Sequence, residues 1–65
     1  MVVNGKEMDI PLGTTISNLL NKLELSSERV VVEVNLNIIA REQYDVYALD
    51  NKDQVEIVNF VGGGC

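Results

Sequence analysis

The 65-residue chain predicts an α+β domain: a mixed sheet of about five strands with one main helix packed on one face. Three observations carry that expectation. An Asn4-Gly5 pair sits between two short strand-like runs. Ile16, Leu19, Leu20 and Leu23 recur at the spacing of one helical face. Two β-type runs follow the helix: residues 29–34, rich in valine, and residues 54–61, which begin with alternating polar and apolar side chains.

Each element has a local cause. Met1-Val2-Val3 reads as a strand, and Asn4-Gly5 reverses it, because both central positions of a type I′ turn need φ > 0. Residues 6–10 return as a strand with Met8 and Ile10 on one face. Pro11-Leu12-Gly13 breaks the pairing. Thr14 or Thr15 caps the helix with a hydroxyl that accepts from a first-turn N–H. The leucine stripe is the core face, and Ser17, Asn18, Asn21 and Lys22 fill the other. Ser26-Ser27-Glu28 connects to residues 29–34, a buried central strand. Asn35-Leu36-Asn37 forms a tight turn, although it lacks a glycine. Ile38-Ile39-Ala40 pairs back as a short strand. Residues 41–50 are irregular, with Tyr44, Val46, Tyr47 and Leu49 as apolar anchors. Asp50-Asn51-Lys52-Asp53 is a polar turn, and residues 54–61 are the last strand. The first and last strands lack sequence neighbours, so they are expected to pair in parallel at the centre. That arrangement is the β-grasp. The expected organisation is a folded body at 1–61 and a flexible arm at 62–65.

Composition narrows the function. A body this small buries only about 60% of its unfolded surface. Cys65 is the only cysteine, so no internal disulfide supports it. A single thiol is compatible with a reducing cytoplasm, where we expect the protein to reside. No signal-peptide pattern is visible at the start, and no apolar run approaches the length of a membrane span. Ten carboxylates oppose five cations, a net charge of −5 that disfavours nucleic acid and favours a basic protein partner. The same excess acid also serves solubility. Histidine is absent, which removes the usual general base and the commonest transition-metal ligand. No metal spacing is recognisable. The chain is expected to be no enzyme, to bind no cofactor or metal itself, and to contact neither nucleic acid nor membrane.

The end of the chain is the most informative part. Gly62, Gly63 and Gly64 follow an apolar run and precede Cys65. A glycine run has no side-chain chemistry, but it is thin and adaptable. Such an arm can thread a narrow channel and present a carboxylate to another protein's active site. In the strand before it, Val55 and Ile57 point to the helix side, while Glu56, Val58 and Phe60 point to the other face. A single sheet with one helix leaves that second face wet. Val58 and Phe60 are therefore candidate partner-binding residues, together with Val61. For Val58 a second reading is open, coverage by residues 41–50.

The residues resemble a known family over nearly the whole chain. The carriers are the Val3-Asn4-Gly5 hairpin, the helix Thr15-Ile16-Ser17-Asn18-Leu19-Leu20, the segment Ile39-Ala40-Arg41-Glu42-Gln43-Tyr44, and the ending from Val55 to Phe60-Val61-Gly62-Gly63-Gly64. They are similar to the ThiS family, the sulfur carriers of thiamine biosynthesis. The resemblance implies a ubiquitin-like β-grasp. It implies that a ThiF-like adenylyltransferase uses ATP to adenylate the terminal glycine carboxylate. Sulfur, drawn from cysteine by a desulfurase or from another donor, then displaces AMP. The resulting thiocarboxylate passes to thiazole synthase. On that pattern Gly64 carries the sulfur, and Gly62 and Gly63 form the arm.

Two departures bear on this. Asn35-Leu36 stands where the family usually has asparagine-glycine. Cys65 extends the chain past the glycine that must be activated. We expect a peptidase to remove Cys65. A persulfide on its thiol and an acyl shift that makes a Gly64 thioester are the other open routes. Rival functions are sulfur carriage for molybdopterin, cysteine or methionine synthesis, a ubiquitin-like protein modifier, and a β-grasp binding module.

Overall fold

The computed structural model describes residues 1–59. Phe60, Val61, Gly62, Gly63, Gly64 and Cys65, with the expected boundary between body and arm, lie outside the described residues. The elements are β1 (Val2–Val3), β2 (Lys6–Glu7), α1 (Ile16–Lys22), β3 (Val30–Val34), β4 (Asn37–Ile38), a 3-10 turn (Arg41–Gln43) and β5 (Gln54–Asn59). They form one five-stranded sheet in the order β2-β1-β5-β3-β4. β1 and β5 pair in parallel at the centre, and the other pairings are antiparallel.

Alternation sorts the sheet into two faces. Val3, Val30, Val32, Val34, Val55 and Ile57 are buried on one face, with Ile16, Leu19 and Leu20 of α1 in the same core. Asn4 and Gly5 take φ of 52° and 84°, as the hairpin turn requires. The same geometry recurs at Asn35 and Leu36, with φ of 52° and 72°. The second turn is thus a hairpin turn even without glycine. It starts β4 at Asn37, earlier than the expected Ile38–Ala40 strand. Ile39 N–H still donates to the Val32 carbonyl, and Ala40 then opens the 3-10 turn.

Beyond that point a side chain finishes the sheet edge. Val32 N–H donates to the hydroxyl of buried Tyr44 at 3.3 Å. Losing that hydroxyl would leave a buried N–H without a partner, at a cost of about 1–3 kcal/mol.

The segment 41–50 is irregular because it caps the helix. Ile16 N–H donates to the Tyr47 carbonyl and Ser17 N–H to the Tyr44 carbonyl. Asn18 N–H donates to the Thr15 hydroxyl, and Leu19 N–H to the Thr15 carbonyl. The bond from Leu19 is the first of the helix's own ladder, and the three preceding donors, Ile16, Ser17 and Asn18, all find partners outside that ladder. Thr15 is the N-cap, and the Thr14 hydroxyl instead donates to the Pro11 carbonyl. Tyr44 and Leu49 are buried and Tyr47 is half-buried, as expected of anchors. Val46 is not an anchor: it lies 70% exposed, between the two tyrosines whose carbonyls turn to the helix.

Two further boundaries move. β2 ends at Glu7, and Asn51 takes over: its carboxamide accepts from Ile10 N–H and donates to the Ile10 carbonyl. α1 ends at Lys22, and half-buried Leu23 is its C-cap. Glu24 N–H reaches the Asn21 carbonyl and Leu25 N–H the Leu20 carbonyl, a Schellman close with Glu24 at φ 60°.

Leu36 combines a left-handed backbone with 86% exposure, so its side chain offsets little of its strain. Leu36→Gly is expected to raise stability by about 1 kcal/mol, or roughly 4–8 °C in Tm for a domain of this size. Thermal unfolding followed by circular dichroism checks it.

Candidate functional site

The site has two parts: the strand that leads to the C-terminal end, and the sheet face opposite the helix. On β5, Val55 and Ile57 are buried while Gln54, Glu56 and Val58 alternate outward. Register then assigns their neighbours. Val58 sits opposite Val31, and Glu56 opposite Glu33, which in turn faces Ile38 of β4.

Val58 is 49% exposed and Ile38 is 71% exposed. Residues 41–50 do not cover Val58, because their carbonyls hold them to the N-terminal end of α1 on the other side of the sheet. Of the expected partner-binding residues, the structure thus places Val58 on an open face. Phe60 and Val61 lie outside the described residues, as do Gly62, Gly63, Gly64 and Cys65.

The electrostatics of this face are distinctive. Glu33 and Glu56 are directly opposed across adjacent strands. Like charges in that position destabilise a sheet. With Val31, Ile38 and Val58 around them, they make an acidic centre in an apolar setting. This suits recognition of a surface that carries a cation among apolar groups.

Elsewhere among the described residues, no Asp, Glu, Lys, Arg, Asn, Gln, Ser or Thr side chain is buried, and no group of three or more His, Cys, Asp or Glu side chains is placed to hold a metal ion. A groove of about 370 Å³ between the 11–14 turn and α1 has Lys22 as its one charged lining residue. No helix among the described residues is long and apolar enough to cross a membrane.

Sequence reasoning missed the asparagines. Asn4, Asn35 and Asn51 were legible as turn residues only. Each also turns its side chain onto the backbone of another segment. Asn35 accepts from Gln54 N–H at 3.0 Å and so sets the start of β5. Asn4 holds Ile57 further along the same strand. The available signal was slight: an asparagine at a turn position that other turn-forming residues could also fill.

Comparison with known proteins places this architecture. The sequence profile of the ThiS family matches residues 1–64. The chain belongs to the ThiS family. It is 43% identical to the sulfur carrier protein ThiS of Bacillus subtilis, over 95% of this chain and 96% of that protein. A solved structure of the thiamine biosynthesis protein ThiS from Geobacter metallireducens superposes with a TM-score of 0.78 at 35% identity, covering 97% of this chain and 96% of that one. The ubiquitin-like β-grasp of the ThiS family is therefore the fold here. The chain is also 39% identical to a thiazole synthase of Paramagnetospirillum magneticum, over 98% of this chain but 20% of that protein. It spans about a fifth of the length of the thiazole synthases it matches.

The opposed carboxylates yield a prediction. Glu56→Gln is expected to stabilise the isolated domain by about 0.5 kcal/mol at low ionic strength, through relief of repulsion from Glu33. In about 1 M salt the gain should shrink, because screening already weakens the repulsion. Urea unfolding at the two salt concentrations measures it.

Proposed function

We propose that this chain is a sulfur carrier for thiazole formation in thiamine biosynthesis, a substrate of other enzymes rather than an enzyme itself. The observation that carries the reading is a ThiS-family body whose last strand runs toward Gly62-Gly63-Gly64. The similarity to a Bacillus subtilis sulfur carrier supports it. The match to a segment of two thiazole synthases supports thiazole synthase as the acceptor.

The chemistry follows from what a carboxylate lacks. It is a poor electrophile, and an acyl-adenylate is a good one. A ThiF-like adenylyltransferase binds ATP, and an oxygen of the Gly64 carboxylate attacks its α-phosphorus while pyrophosphate leaves. Sulfide then attacks the Gly64 carbonyl carbon and AMP leaves; if the donor is a persulfide fed by a cysteine desulfurase, its outer sulfur attacks instead, and a thiol reductant cleaves the resulting acyl disulfide. The product is a thiocarboxylate. Gly62 and Gly63 offer the channel no Cβ to obstruct passage. Val58, Phe60 and Val61 dock the body on the partner, and the Glu33–Glu56 pair favours a basic counterpart. ATP belongs to the partner's site, not to this chain. Cys65 is removed by a peptidase before activation, since it blocks the Gly64 carboxylate. We place these steps in the cytoplasm.

The test mixes the chain ending at Gly64 with ATP, a ThiF-type adenylyltransferase and sulfide. Mass spectrometry is expected to show one oxygen replaced by sulfur at the C-terminus. The chain still ending in Cys65 should remain unmodified until a cytosolic extract trims it. Failure of the Gly64-ended form to gain sulfur with every matched adenylyltransferase would falsify the carrier reading. Sulfur gain on the untrimmed form would overturn the processing step alone.

A further inference from the structure

β5 is held on both edges, but in different ways. Toward β3 the backbone pairing runs the length of the strand, ending at Val30 opposite Asn59. Toward β1 the backbone pairing stops early. Val2 N–H donates to the Asp53 carbonyl at 3.1 Å, and Asn4 N–H donates to the Val55 carbonyl at 2.9 Å. The chain then leaves through the Asn4-Gly5 turn. The next position on that edge of β5 is Ile57, and a side chain occupies it. Ile57 N–H donates to Asn4 Oδ1 at 2.8 Å, and Asn4 Nδ2 donates to the Ile57 carbonyl at 3.3 Å. A carboxamide presents one acceptor and a donor much as a peptide does. The Asn4 side chain therefore acts as one more step of parallel sheet, where the β1 backbone has already turned away.

The location of this step is its significance. Ile57 precedes the last described residue of β5, Asn59, by two positions, and the chain reaches Gly64 five residues after that. The turn alone does not require this residue. At φ 52°, glycine, aspartate and asparagine are all suited to position 4. Of the three, only asparagine offers both the acceptor and the donor that Ile57 uses. Asn4 is also exposed and adds nothing to the apolar core.

We propose that Asn4 is a positioning residue for delivery of the C-terminal end: by gripping Ile57 it sets the line along which β5 leaves the sheet. The role rests on the carrier reading above. A strand held on one edge can twist and peel, and each residue it frees adds backbone entropy that must be lost again on threading. The docking face is built from the outward side chains of β3, β4 and β5, and Asn4 contributes none of them. Its removal should therefore leave partner recognition intact and impair the chemical step, which depends on where the glycine end arrives.

Asn4→Gly separates this role from the turn, because Gly-Gly satisfies the same backbone geometry. Gly5→Ala is the control. It strains a φ of 84° with open space around the new Cβ, so it weakens the hairpin while leaving the Asn4 carboxamide in place. Two measurements decide. In the full chain, amide hydrogen exchange at Ile57 should rise about tenfold or more in Asn4→Gly, with Glu56 and Val58, which face β3, changing less. With the Gly64-ended carrier, ATP and a ThiF-type adenylyltransferase, Asn4→Gly should lower kcat about three- to tenfold and leave KM within about twofold. Asn4→Asp keeps the acceptor but faces the Ile57 carbonyl with a second acceptor, so it should also lose kcat. Gly5→Ala should lower Tm and keep the wild-type kcat.

Unchanged exchange at Ile57, or wild-type kcat in Asn4→Gly, overturns the positioning role while the carrier reading stands. Equal losses of kcat in Asn4→Gly and Gly5→Ala also overturn it, since stability alone would then explain both. A wild-type carrier that is never adenylated overturns the carrier reading and this role together.

Discussion

The fold depends on the parallel contact between its first and last strands. Val2 and Val3 align with Gln54 and Val55, residues at opposite ends of the chain. Each has its own antiparallel neighbour, so this one pairing joins two hairpin-like halves into a single sheet. It is short in backbone terms; one asparagine carboxamide lengthens it, and another grips the opposite edge of β5, on the β3 side. Asn35 holds the start of β5 at Gln54, and Asn4 holds it again at Ile57. Asn51 ties the chain after β2 to the turn before β5. Closing so long a loop costs entropy before any contact forms, which is why these additional grips matter in so small a domain.

From that contact the division of labour follows. Once β5 is central, its inward side chains complete the core and its outward ones lie in the middle of the open face. Glu56 meets Glu33 there, and Val58 meets Val31. The body thereby accepts unfavourable opposition of two carboxylates on a face that carries exposed apolar groups. Such conflicts are characteristic of surfaces shaped by recognition. Under the proposed carrier function, the reacting group would be the Gly64 carboxylate, which follows that strand in the sequence.

Much of this was readable in advance, and the reasons differ by element. The Asn4-Gly5 turn is dictated by φ > 0 at two adjacent residues, a local requirement with few solutions. The helix follows from the spacing of Ile16, Leu19 and Leu20, and β3 from its valines. The irregular segment was harder. Tyr44 looked like an anchor, but its hydroxyl also completes the edge of β3, and its carbonyl caps α1. Val46 looked equally apolar, yet it faces solvent because the carbonyls beside it are committed to the helix. Neither distinction has a periodicity.

The sequence by itself determined the order of the elements, the inward and outward sides of the last strand, and the glycine end that suggests a carrier. Those follow from turn stereochemistry and from side-chain alternation, which act within a few residues. Tertiary structure alone decided which turn residues double as backbone partners, which carboxylates oppose each other, and whether Val58 is covered. Each of these depends on register between segments remote in the chain, and register is a property of the assembled sheet.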